Sequence, residues 1–498
     1  IAIGWEAMHD TNAGSTAQDS DDNTFIGYQA GGGTWANAKS EFNVSVGNYT
    51  LGGSMNGAAF NTAIGYSAGA NITTGDYNTF VGGYAGQVVT TGGNNVAIGV
   101  NALLVHATGN HNIAIGNNAM TDTNAGSTSM GSEHNIFIGS TAGGGTWADA
   151  ASSYNTAIGN YTMDAALNGA SYNTTLGYST LTSLTSGDYN VAIGVYAGDD
   201  IETGGWNVII GGSASPSYGT DFANNIAIGF DALADGNANF YRSMGIGRGA
   251  ANKNKVSDNM AIGYEALKVH TTGPRNIAIG SYAMDDTDAG SNSLASQDNI
   301  FIGLDTGGGT WADTQSNYNV AIGNYVMDGA LDGADYNVMI GYGAGSAITT
   351  AEKSVGIGGS ALLSATTTTL NTAVGFEAGV SLTTGAGQNT FLGYQAGRQA
   401  TTTTYSVFIG AYAGYNQSIG SYGNVHIGWV AGQYASGSNN TFVGQEAGKG
   451  GTTSAPFSSG QNNTAVGKAA LDAFTTGDNN VAIGVNALGV LTTADNNV

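Results

Sequence analysis

Residues 61–99 read NTAIGYSAGANITTGDYNTFVGGYAGQVVTTGGNNVAIG. Within them Asn61-Thr62-Ala63-Ile64-Gly65, Asn78-Thr79-Phe80-Val81-Gly82 and Asn95-Val96-Ala97-Ile98-Gly99 restate one five-residue phrase at intervals of 17 residues. The apolar core of each phrase is bounded by Asn and Gly, too short for a helix and well suited to a strand between two turns. The closing glycine permits the positive φ that a sharp corner needs, and asparagine hydrogen-bonds neighbouring backbone.

Outward from this stretch the phrase glycine recurs 27 times in 498 residues, at spacings of 16 to 23. A fixed period of this length marks a solenoid, in which each strand pairs in parallel with its copy one rung away and equivalent side chains form ladders. The expected fold is therefore all-β: a parallel β-solenoid, or β-roll, of about 27 rungs. At ~4.8 Å between paired strands such an array spans on the order of 130 Å. The Asn that opens each phrase is expected to build an amide ladder.

The spacings repeat in their turn. The run 23, 20, 18, 17, 17 starts at Gly4 and restarts at Gly116 and at Gly280. This second-order repeat divides one continuous array into blocks of roughly 1–112, 113–276, 277–440 and 441–498. The chain opens on Ile1-Ala2-Ile3-Gly4 and closes on Asn497-Val498, both inside the phrase, so a window cut from a longer array is expected.

Alternation across a strand sends the residue before the glycine and its neighbour to opposite faces. The first is always Ile, Val or Leu, and is expected to face a dry interior; the second is mostly Ala or Phe. Two apolar faces imply cover on both sides. A lone narrow coil supplies only one, so a homotrimer is the simplest closed arrangement.

Composition limits the partners. Eleven basic against 35 acidic residues give a net charge of −24, which disfavours nucleic acid and anionic membrane surfaces. There is no cysteine and no window with the apolar length of a membrane-spanning helix. The six histidines (9, 106, 111, 134, 270, 426) occupy different rung positions and form no triad pattern. Glycine strings such as Gly245-Ile246-Gly247-Arg248-Gly249 lie in the repeat frame with no helix after them, unlike a phosphate loop. No motif argues for an enzyme.

Two decorations stand above the repeat. The first is Asp10-Thr11-Asn12-Ala13-Gly14, echoed at Asp122 and Asn124 and at Asp286 and Asp288. Oxygen ligands two residues apart beside a glycine begin a structural calcium loop, and the same residues would serve as turn caps. The second is Gly-Gly-Gly-Thr-Trp, ending at Trp35, Trp147 and Trp311. A tryptophan on a glycine-rich protrusion can stack on a cell-surface glycan or anchor a host receptor; it can also fold back to plug its own enlarged rung. Recurrent threonine pairs, as at Thr73-Thr74 and Thr90-Thr91, raise a remote ice-binding reading, and acids near Asp10, Asp122 and Asp286 a polysaccharide-acting one.

The phrase Asn95-Val96-Ala97-Ile98-Gly99, with Ala102 and Gly109 behind it, resembles the head repeat of YadA-type trimeric autotransporter adhesins, and the same five residues stand at 190–194, 319–323 and 480–484. Asn371-Thr372-Ala373-Val374-Gly375, with Thr383-Thr384-Gly385 downstream, is similar to repeats of phage and bacterial tail fibres. The resemblance implies a left-handed trimeric β-roll displayed at a cell or virion surface, serving as an adhesive fibre shaft or as the shaft of a tail fibre. The rung here is longer than the adhesin's, and no coiled-coil stalk, membrane anchor or autoproteolytic chaperone lies within these 498 residues.

Overall fold

In a computed structural model the chain is described at residues 1–10, 19–123, 129–215, 221–234, 239–287, 292–384, 387–417, 420–455 and 457–498. It divides into two compact units, Ile1–Gly245 and Ile246–Val498. The division falls inside the second sequence block. Unit one holds 13 strands, from Ala2–Ile3 to Ile226–Ile228; unit two holds 13, from Met260–Ile262 to Val481–Ile483; the strand Met244–Ile246 lies at the division in sequence. Within each unit every strand pairs in parallel with the next, as Thr62–Ile64 does with Thr79–Val81 through Ala63↔Phe80 and Ile64↔Val81. The fold is a parallel β-solenoid. Twelve steps of ~4.8 Å make each stack about 58 Å long.

The local chemistry explains the rung. Gly82 has φ +137, and a Cβ there would lie 2.4 Å from the Gly99 carbonyl oxygen, so both backbone conformation and the close approach of the next rung demand glycine. The asparagines form the expected buried ladder. Asn78 Nδ2 donates to Asn61 Oδ1 at 3.0 Å and to the Gly92 carbonyl at 3.0 Å, while Asn78 Oδ1 accepts the Asn95 N–H at 3.0 Å. The left-handed conformation belongs to the residue before each asparagine, as at Tyr77 (φ 58) and Asn94 (φ 57), rather than to the asparagine. Threonine hydroxyls are tied into the stack: Thr73 Oγ1 donates to the Thr90 carbonyl at 3.1 Å and Thr90 Oγ1 to that of Ala107 at 3.0 Å.

One expectation is corrected here. The residue before the glycine does not face the coil interior. In the three-residue strands the central residue is buried, its side chain pointing inward (Ala63, Phe80, Ala97) except where it is Gly245 or Gly356, whereas the flanking side chains point out. The coil is so narrow that only the middle of a strand reaches its axis. Ile64 and Ile98 are about two-fifths exposed, at 41% and 39%.

The interior is packed by complementation within a rung. Where the strand centre is Phe, a glycine stands six residues later, and a Cβ on Gly86 would sit 2.4 Å from the Phe80 ring. Where the centre is Ala, that position often carries a buried Leu or Met, as in Ala97 with Leu103 and Ala114 with Met120. Rungs small at both positions, such as Ala63 with Gly69, are filled from their neighbours: a Cβ on Gly69 would sit 2.8 Å from Phe80 and 2.9 Å from Leu51, which keeps the interior at native packing density.

Candidate functional site

The two decorations prove to be one module. Asp10 lies in one rung and Thr34 and Trp35 in the next. The Thr34 hydroxyl donates to Asp10 Oδ2 at 2.6 Å, and the Trp35 N–H donates to the Asp10 carbonyl at 2.9 Å. Asp122 holds Thr146 and Trp147 in the same way, at 2.7 and 2.8 Å, and Asp286 holds Thr310 and Trp311. Glycine makes the segment possible: a Cβ on Gly33 would meet the Gly52 and Gly53 carbonyl oxygens at 2.4 Å.

Trp35, Trp147 and Trp311 are fully buried. Each indole N–H donates to the carbonyl four residues back, at 3.1 Å to Gly31, 3.0 Å to Gly143 and 2.8 Å to Gly307. Each ring packs on the central Phe of its own rung, with centroids 5.8, 5.7 and 5.8 Å from Phe25, Phe137 and Phe301. Of the two sequence readings the structure places the rings inside, plugging the enlarged rung, with no face open to a sugar. Asn12, Asn124 and Asp288 lie outside the described residues. Asp10, Asp122 and Asp286 therefore enter as anchors of the tryptophan segment, and among the described residues no three His, Asp or Glu side chains converge on a metal-sized point.

Other carboxyls are perturbed by half-burial. That burial, reinforced by Asp305, pushes Asp285 up to about 7 and Asp328 to about 6; Asp164, 164 positions before Asp328, is likewise raised to about 6. Three histidines are buried and held well below the ordinary imidazole value by desolvation: His106 and His270 at about 4, His426 at about 3. His106 Nε2 lies 3.0 Å from Asn112 Nδ2, and its Nδ1 lies 3.0 Å from the Thr123 hydroxyl. His426 has neither nitrogen paired and lies between the Phe408 and Phe442 rings, each centroid 4.9 Å away. These are core groups.

No protein-family profile matches the chain, and no curated protein sequence matches it.

The surface carries what the repeat reading missed. The left-handed residue before each asparagine forms an exposed column. His111, His134, Tyr154, Tyr172, Tyr189 and Trp206 stack face to face, with centroids 4.7 to 5.2 Å apart and planes within 11°. Phe42, Phe60 and Tyr77 stack likewise. A second column just after the phrase glycine zigzags edge to face through Tyr28, Tyr49, Tyr66 and Tyr84. Between the two run the outward strand residues. The outer sheet face is thus an apolar ribbon with aromatic borders. Its signal in the sequence was the aromatic residue preceding Asn at 42, 60 and 77, at 111 to 206, and at 318 and 336; other rungs carry polar or charged residues at this column position, such as Asp258 and Lys353.

Proposed function

We propose that the chain is a non-enzymatic structural shaft whose copies associate side by side, as a homotrimer, through the outward strand face. The observation that supports this is the column at the third strand position: Ile26, Val46, Ile64 and Ile98 are 36%, 37%, 41% and 39% exposed in the single chain. A soluble chain rarely leaves so continuous an apolar ribbon uncovered. Burying it against identical ribbons returns ~25 cal/mol per Å2 at every rung, and parallel copies repeat the contact along the stack. In this reading the shaft works mechanically, through ladders of backbone and asparagine hydrogen bonds, at a cell or virion surface, and adheres to cell-surface glycans or host receptors through its loops and aromatic borders.

Analytical ultracentrifugation of the full chain tests the association. A trimer mass is expected, falling to monomer in Ile64→Lys/Ile98→Lys, whose charges cannot enter a dry interface. A wild-type monomer at all concentrations would refute it. Binding of labelled chain to glycan arrays and whole cells tests adhesion, and a blank result on both removes that part.

A further inference from the structure

We propose that His111 and His134 together hold one divalent transition-metal ion, with Cu(II) the tightest of the series. Of the six histidines, three (His106, His270, His426) are sealed in the core, and His9 stands apart near the start of the chain. His111 and His134 are both exposed, occupy the same column position on adjacent rungs, and stack with centroids 4.7 Å apart at 7°. Their backbones are fixed alike, at φ 57 and 58, with the His111 N–H bonded to the Gly93 carbonyl at 3.1 Å and the His134 N–H to that of Asn110 at 3.0 Å. No hydrogen bond among the described residues engages either ring.

The duplicated architecture shows what two side chains at these positions can do. Adding 164 to each number gives Arg275 and Asp298, which meet as a bidentate ion pair, Nε to Oδ1 at 2.6 Å and a terminal nitrogen to Oδ2 at 2.8 Å. Neighbouring positions in this column therefore bring polar atoms into direct bonding reach. Imidazole nitrogens ~2.0–2.1 Å from one ion lie within about 4 Å of each other, slightly closer than the present ring separation. A ligated ion sits in the plane of each ring, so both imidazoles turn about χ2 out of the stack, toward solvent, where water completes the coordination. Tyr154, stacked on the far side of His134 at 4.9 Å, closes the other direction. Two imidazoles with open water positions suit Cu(II) and Ni(II), and Zn(II) less tightly than Cu(II). The net charge of −24 raises the local concentration of any cation.

The test is titration of the tag-free full chain with Cu(II) at neutral pH, read by calorimetry and by nitrogen hyperfine structure in the EPR spectrum. One ion per chain with coupling to two imidazole nitrogens is expected. His111→Asn and His134→Asn each place in the column the residue it already carries at Asn94, so the fold is retained. Each is expected to weaken binding at least ~10-fold, the loss that even outer-shell partners produce, and to leave one-nitrogen coupling. His9→Ala leaves binding unchanged. Coupling to a single nitrogen in the wild type, or a site that survives both asparagine variants, or one abolished by His9→Ala, overturns the proposal.

Discussion

Replacing His426 by Phe tests the interior at its most unusual point. The imidazole is fully buried between Phe408 and Phe442 with both nitrogens unpaired. Its glycine pocket matches theirs: a Cβ on Gly432 would lie 2.2 Å from the imidazole, as one on Gly414 or Gly448 would lie 2.6 or 2.3 Å from the phenyl rings. Phe fits this column, and removing two buried unpaired nitrogens is worth about 1–3 kcal/mol at neutral pH. The pH dependence is the sharper signature. Burial lowers the folded-state value from 6.5 to about 3, so the unfolded rung takes up the proton first. Stability is complete above pH ~6.5, falls by about 1.4 kcal/mol per unit below it, and levels off near pH 3; at pH ~4.5 the loss is about 2.7 kcal/mol. Repeat stacks open locally, so the assay is amide hydrogen exchange, corrected for intrinsic rates, in Val407–Ile409, Val425–Ile427 and Thr441–Val443. In His426→Phe this acid-dependent opening disappears from these three strands. Opening free energies that fall equally with pH in wild type and variant would refute the reasoning.

Three further outcomes follow from the packing. Phe80→Ala costs about 3–5 kcal/mol by emptying the rung, and Gly86→Leu added to it restores part of the loss by recreating the Ala97–Leu103 pairing; Gly86→Leu alone destabilises, and hydrogen exchange in Thr79–Val81 reads all three. Asn78→Ala leaves the Gly92 carbonyl and Asn95 N–H without their ladder partner and lowers local stability by about 2–4 kcal/mol, read in the exchange of Asn95. Trp147→Ala costs about 3–5 kcal/mol, whereas Asp122→Ala costs only about 1 kcal/mol, because the bond from the Trp147 N–H goes to the Asp122 backbone; thermal melting followed by tryptophan fluorescence separates the two.

The period of the phrase was enough to determine the solenoid. A strand bounded by Asn78 and Gly82 and restated 17 residues on can pair only with its own copies, and local rules assign the glycine corner and the asparagine ladder. Complementation was legible too, since Phe at a strand centre travels with Gly six residues later, but its meaning needed the distance between Phe80 and Gly86. Other features were decided only by tertiary structure. Alternation shows that Ile64 and Ala63 face opposite ways; the curvature of a narrow coil decides that Ala63 is inside. Trp147 turns in on a segment tied to Asp122 in the previous rung, 24 residues before Thr146 in sequence, and only the folded stack brings the two together. The exposed aromatic column joins residues 17 to 23 apart, because rungs of unequal length still close at one height. Sequence periodicity specifies which residues repeat, and the closing of each coil specifies which of them meet.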